Sequence, residues 1–254
     1  GLGMYLTAYF MYFFNLSYFL LLLPVGIIVG ACAFPLSLIT LRIKGAYFVI
    51  TTFILAEAVR SLFLYMEARR GKVGVPVHSQ PLRIVYLVMM TLMIVTILLA
   101  HLIKNSKFGH GLFSIAEQED SAEVTGVNTV AHKVEAFVIS CTLMGVAGAI
   151  NAGRFGWSDP NFCFSAVTSF EVVTASSLGY AFFGNQRSIY APITGATVLI
   201  VLREFLIGGE HPYIFNITLG SLIILIVFML LEREALISKI KILRAKMKTL
   251  KIAR

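Results

Sequence analysis

Charge is scarce in this chain. Only 13% of its 254 residues are Asp, Glu, Lys or Arg, against 58% hydrophobic. A soluble domain carries about a quarter charged residues, so the composition excludes an ordinary soluble domain and indicates a polytopic membrane protein. Cysteine is rare too. Cys32, Cys141 and Cys163 lie in or beside apolar segments and show no metal or redox spacing, so they read as small buried hydrophobes. The five histidines are scattered, with no HExxH-like pair. No G-x-x-x-x-G-K-[ST] loop occurs, and no G-x-G-x-x-G follows a strand, so any nucleotide must bind to another subunit. A membrane-embedded enzyme would need a nucleophile or a metal cluster, and no such constellation stands out.

The basic residues are unevenly placed. The chain's net charge is +8. Residues 232–254 hold eight Lys or Arg against two Glu, or +6, which leaves +2 for the other 231 residues. That distribution is a topology signal placing the tail on the cytoplasmic side, and it argues against nucleic acid as a partner. In the tail, Leu236, Ile240, Leu243, Met247 and Leu250 recur at helical spacing, with lysines and Arg244 on the other faces. This is a basic amphipathic helix suited to an anionic leaflet, preferred as a lipid anchor over a partner-docking helix.

Apolar runs long enough to span a bilayer, at about 20 residues each, fall at 17–40, 46–65, 84–103, 132–153, 166–183, 189–207 and 214–231. The expected fold is therefore all-α and polytopic, with about seven transmembrane helices in a body over 1–231 and a tail over 232–254. Pro24 and Pro35 predict kinks in the first span. Gly145, Ala147, Gly148, Ala149, Ala152 and Gly153 predict close packing of the fourth. Residues 1–14 are apolar but short, the end of a helix or a re-entrant piece. The start at Gly1, with no initiator Met and no charged leader, leads us to expect an upstream part beyond this chain.

Counting back from a cytoplasmic tail puts Arg42, Lys44 and the 104–130 loop inside, and the 154–165 and 208–213 loops outside, in accord with the positive-inside rule. The 66–83 loop falls outside yet carries Arg69, Arg70, Lys72 and Arg83 against that rule.

The acids gather in one place. Glu117, Glu119, Asp120 and Glu123 lie within seven positions of "FSIAEQEDSAEVTGVNTVAHK". The composition of 113–127 predicts a helix ending at Gly126, with acids favoured near its start by the helix dipole. A short polar helix between two spans has the form of a lever that another protein grips.

The residues from Glu119 to Ser140, "EDSAEVTGVNTVAHKVEAFVIS", resemble the cytoplasmic loop of ABC importer permeases, in particular the branched-chain amino acid permease family, which also covers urea- and amide-type importers. Matching positions are Glu119, Ala122, Glu123, Gly126, Val127, Asn128, Lys133, Ala136, Phe137 and Ser140. "LRIKGAYFVITTFILAEAVR", "GVAGAINA" and "SDPNFCFSAVTSFEVV" resemble further family segments in the same order. The 177–196 stretch and "RRGKVGVP" depart from the family's glycine-rich patterns, which bears on the solute.

The resemblance implies a subunit that forms the solute pathway for a branched-chain amino acid or related small polar solute, in the bacterial inner membrane. It implies a second, homologous permease, two ATPase subunits holding ATP and Mg, and an extracytoplasmic solute-binding protein, with no cofactor on this chain. The 113–127 segment becomes a coupling helix, with Ile115, Glu117, Glu119, Asp120, Ala122, Glu123 and Gly126 as its residues. The alternative is an ion-coupled secondary transporter that works without an ATPase.

Ionisable residues inside a span are costly and mark candidate functional sites. Glu57 with Arg60 three positions on, Asn151, and Glu171 near Thr174 and Ser176 are candidates for a polar translocation path. Against that, Glu57 and Arg60 also fit an intrahelical pair that only holds helices together, the slightly preferred reading. For Glu171 and Asn151 both readings stand.

Overall fold

The computed structural model describes residues 1–165 except 44, 72 and 73, then 175, 176, 178, 179, 189–207, 217, 218, 220, 221 and 224. The chain divides into two compact units, Gly1–Ser165 and Ala166–Arg254.

The first unit is a helix bundle. Its elements are α1 (Leu2–Phe14), α2 (Tyr18–Thr40), α3 (Ala46–Arg70), β1 (Val75–Pro76), α4 (Leu82–Lys104), α5 (Lys107–Glu117), α6 (Glu119–Val124), α7 (Thr129–Ala152), β2 (Trp157–Ser158) and α8 (Pro160–Cys163). Among the described residues, four helices are long and apolar enough to cross a membrane: Tyr18–Thr40, Tyr47–Arg70, Leu82–Lys104 and Thr129–Ala152. Residues 1–14, left between two readings by sequence, form the helix α1.

Small residues set the packing, as expected where lipid supplies no hydrophobic drive between helices. A Cβ on Gly145 of α7 would lie 2.8 Å from Val29 Cβ of α2, and one on Gly3 of α1 would collide with the Gly145 carbonyl. The core is the α2–α7 seam, with Tyr18, Leu21, Val25, Val29, Ala149 and Ile150 buried, and Val85 of α4 at its edge. The Tyr18 hydroxyl donates to the Ile150 carbonyl at 2.8 Å, while Gly30 faces Thr142, so α2 and α7 run antiparallel. Pro24 and Pro35 both lie inside α2 without ending it.

The two loops that sequence placed on one side meet. β1 and β2 pair antiparallel, Val75 opposite Ser158 and Pro76 opposite Trp157. Two further bonds extend the contact: the Val77 N–H donates to the Gly156 carbonyl at 3.0 Å and the Gln80 N–H to the Gly153 carbonyl at 2.8 Å. The C-termini of α3 and α7 and the start of α4 thus share a ladder end. The end of α4, the start of α7 and the helices α5 and α6 lie at the opposite end, in agreement with the alternation counted from sequence.

Two boundaries differ from expectation. The second span continues past 65 to Arg70, so Glu67, Arg69 and Arg70 are helical and not loop. The 154–165 loop contains β2 and α8.

The second unit contains α9 (Ala191–Ile207), where sequence predicted a span at 189–207. At 17 residues it is shorter than the four spanning helices. Within this unit Gly179 and Gly195 bring α9 close to the backbone of residues 175–179. The expected spans at 166–183 and 214–231 lie largely outside the described residues, and the basic tail at 232–254 wholly so.

Candidate functional site

The acidic segment at the end opposite the ladder is two helices. Ser106 caps α5, its Oγ accepting from the Gly109 N–H at 3.1 Å. The continuous helix expected over 113–127 is broken at Gln118, whose extended backbone (φ −160°, ψ 109°) separates α5 from α6. Gln118 closes one helix and opens the next: its N–H donates to the Ser114 carbonyl at 3.1 Å and its carbonyl accepts from the Ala122 N–H at 3.1 Å, so α6 restarts with Glu119 and Asp120 in its first turn, where its dipole favours them.

The C-terminus of α6 follows the sequence reading closely. Gly126 adopts φ +85°, its N–H bonds the Glu123 carbonyl at 2.9 Å, and the Val127 N–H bonds the Ala122 carbonyl at 3.1 Å. This pair of bonds is a Schellman cap, which needs a left-handed residue at Gly126.

α6 is fastened to the start of α7 by its own side chains. Lys133 Nζ pairs with Glu119 Oε1 at 2.5 Å, and Thr129 Oγ1 donates to Glu123 Oε1 at 2.9 Å. Ala122 (2% exposed) and Thr129 (2%) are buried. Asn128 caps α7 by accepting from the Ala131 N–H at 3.1 Å. On α5, Phe108 stacks on His132 of α7 with ring centroids 5.3 Å apart, and Ile115 is half-buried. Glu117, Asp120 and Glu123 are exposed, Glu119 half-buried. Val124, absent from the residues singled out by sequence, is 89% exposed. Its signal was there: an isolated aliphatic residue in a polar helix, two positions before the capping glycine.

Glu57 and Arg60 lie on one face of α3, as their spacing predicted, and form an ion pair through Arg60 Nη2 and Glu57 Oε1. Arg60 also reaches across the fold, donating from Nη1 to Asn161 Oδ1 of α8 at 2.9 Å. Arg60 Nε and Asp159 Oδ1, both buried, have no hydrogen-bond partner. Phe164 stacks on Phe63 of α3 at 5.9 Å, so the α8 segment lies along α3 beside the Glu57–Arg60 pair. Burial pushes the Cys163 thiol up to about 11.

Sequence reasoning missed Asn161 and Glu67. Glu67 is 3% exposed and accepts from the Tyr5 hydroxyl at 2.8 Å and from the Gly74 N–H at 2.9 Å. Its seven-residue spacing from Arg60 puts it on the same helical face, a signal lost by ending the span at 65. Asn151 is half-buried near the end of α7, and no hydrogen bond joins its side chain to Glu57 or Arg60. Ser176 is half-buried in the second unit, while Glu171 and Thr174 lie outside the described residues.

Apolar helices joined at alternating ends, with a short polar helix braced on one of them, define a multi-pass helical membrane protein. The chain belongs to the family described as branched-chain amino acid transport system, permease component, whose profile matches residues 1–230. It is similar to the high-affinity branched-chain amino acid transport system permease protein LivM of Salmonella typhimurium, 24% identical over 240 residues that cover 81% of this chain and 55% of the relative. It is also similar to the galactose/methyl galactoside import permease protein MglC of Haemophilus influenzae, 30% identical over 124 residues (48% of this chain, 36% of the relative). The D-allose transport system permease protein AlsC of Escherichia coli is 25% identical over 133 residues (52% and 40%). The chain spans about half the length of the LivM relatives it matches. No solved structure matches it.

Proposed function

We propose that this chain is a permease subunit of an ABC importer of the bacterial inner membrane, moving a branched-chain amino acid or a related small polar solute. The observation that carries the reading is the braced α6 at the end opposite the ladder, in a chain of this permease family. Its bracing groups, Glu119 and Glu123, are engaged with α7, while Asp120 and Val124 face outward. α6 is the coupling segment on this reading. An ATPase grips Val124 and the acids around it, and Glu119–Lys133 passes the push to α7. The ladder end is extracytoplasmic and faces a solute-binding protein, the tail at 232–254 is cytoplasmic, and a second homologous permease completes the pathway with two ATPases that bind ATP and Mg.

Glu57, Arg60 and Asn161 offer a carboxylate, a guanidinium and an amide on adjoining elements, a set suited to a zwitterionic or hydroxylated solute. The names of the relatives include both amino-acid and sugar permeases, so the test uses both solutes. The complex co-purified with this chain is placed in proteoliposomes, and uptake of labelled leucine and of labelled galactose is measured with and without ATP. ATP-dependent uptake of one of them is expected. Failure of any ATPase to co-purify, or uptake driven by an ion gradient without ATP, would overturn the reading.

A further inference from the structure

We propose that the ladder end of the first unit holds the phosphate headgroup of an anionic phospholipid, with Arg70 as its principal donor. The starting point is the loop whose charges break the positive-inside pattern. Arg69 and Arg70 occupy the last turn of α3, Arg83 the first turn of α4, and Arg154 the residue pair after α7. All four are exposed. The acids nearby do not answer them: Glu67 is buried with two donors of its own, and Asp159 is only half-exposed.

Three of the arginines lie over aromatic rings. Arg70 is 5.1 Å from the centroids of both Tyr9 and Phe13, Arg69 is 5.3 Å from Tyr65, and Arg154 is 5.4 Å from Phe155. Stacking fixes the plane of a guanidinium and leaves N–H edges free for an anion. Arg70 commits Nη2 to the Tyr9 hydroxyl at 2.9 Å. It also borders a cleft of about 690 Å³ whose walls include Tyr12, Phe13, Pro76 and Trp157.

The occupant follows from those surroundings. Glu67 also lines the cleft but is buried and held by the Tyr5 hydroxyl and the Gly74 N–H, so the cleft presents the Arg70 guanidinium and apolar walls, with the other arginines around its end of the bundle, which suit an anionic group joined to an apolar body. A free anion would leave the rings unused. Exposed Tyr12, Phe13, Phe14 and Trp157, at 44%, 49%, 62% and 51%, sit where the long helices end. Aromatic rings and arginines at that level mark the headgroup zone of a bilayer. On the sidedness proposed above this is the outer leaflet. The inference rests on that reading for the leaflet alone and is independent of ATPase coupling.

The test is native mass spectrometry of the full chain in its purified complex, loaded with equal phosphatidylglycerol and phosphatidylcholine. Each surface arginine is worth about fivefold in anionic-lipid binding. Phosphatidylglycerol should be retained over phosphatidylcholine, and Arg70→Gln should reduce the preference about fivefold, with Arg70→Lys in between. If Arg70→Gln does not fold, the double variant Arg69→Gln/Arg154→Gln should reduce it instead. Equal retention of the two lipids by the unaltered chain, or unchanged preference in these variants, overturns the proposal. So does displacement of the lipid by millimolar inorganic phosphate, which means a free-anion site. Tighter binding of a soluble polyglutamate peptide than of phosphatidylglycerol means a protein-docking surface and overturns it as well.

Discussion

Cutting the tie between α6 and α7 should loosen α6 without unfolding the bundle. The tie is Glu119–Lys133, with side chains 29% and 26% exposed. Fully exposed pairs contribute about 0.2–1 kcal/mol, and breaking a fully buried one costs about 3–5 kcal/mol. Three-quarters burial at 2.5 Å with water still present places this pair near the top of the exposed range, at about 1 kcal/mol. That energy is about a fivefold change in the equilibrium for local opening of α6. The amides of Gly126 and Val127 report it directly, because their hydrogen bonds to the Glu123 and Ala122 carbonyls exist only while α6 is formed. Hydrogen exchange on Glu119→Gln, Lys133→Met and the double variant closes a thermodynamic cycle. Each single variant should exchange at those amides about fivefold faster. The double variant should exchange no faster than the singles, and the amides of α2 should not change. ATPase stimulation by solute should fall in the same variants. Additive effects in the double variant, or unchanged exchange in both singles, would refute the bracing and with it the mechanical role given to Lys133.

Three further outcomes follow from the same geometry. Val124→Asp, at a position 89% exposed, should leave the thermal midpoint within experimental error, yet remove the ATPase from pull-downs of the complex. Tyr5→Phe strips one donor from buried Glu67 and should cost about 1–3 kcal/mol in denaturant unfolding, with Glu67→Gln added to it recovering part of the loss. Cys163, pushed up to about 11 by burial, carries far less thiolate than an ordinary cysteine, so in a background with Cys32 and Cys141 replaced it should react with maleimide at pH 7.5 much more slowly than in the unfolded protein.

The first three full spans, the fourth, and the capping glycine were legible in the sequence because each rests on a local property. Long apolar runs satisfy their backbone within one helix, and Gly126 supplies a left-handed residue that few others tolerate. What local pattern could not supply was tertiary. Gln118 lies between strong helix formers, and nothing in its own chemistry ends a helix. The break comes with the docking of α6 on α7, through Glu119–Lys133 and Thr129–Glu123, contacts spanning fourteen and six residues. The end of α3 was misplaced for a related reason. Glu67, Arg69 and Arg70 read as loop by charge, but burial of Glu67 against Tyr5 and stacking of Arg70 on Tyr9 and Phe13 carry the helix one turn further. α8 was invisible because four residues are too few for any periodicity to show.

The pairing of Glu57 with Arg60 leaves more to explain than an internal ion pair would. A lone pair on one helix needs only its own two side chains, and it would be placed so that neither charge faces hydrocarbon. Arg60 spends one nitrogen on Glu57, a second on Asn161 of α8, and keeps a third, buried, without a partner. Asn161 is 101 positions away in sequence, so this contact joins α3 to the four-residue helix α8. Removing Asn161 would not break the ion pair, but it would detach α8 from α3 at that point and add a second unmet donor on the guanidinium. Glu57–Arg60 is thus an intrahelical pair whose arginine also holds α8 to α3, as the reading of a pair that keeps helices together requires. The arginine is a joint between a spanning helix and the segment returning from the ladder, and it keeps one buried donor unmet.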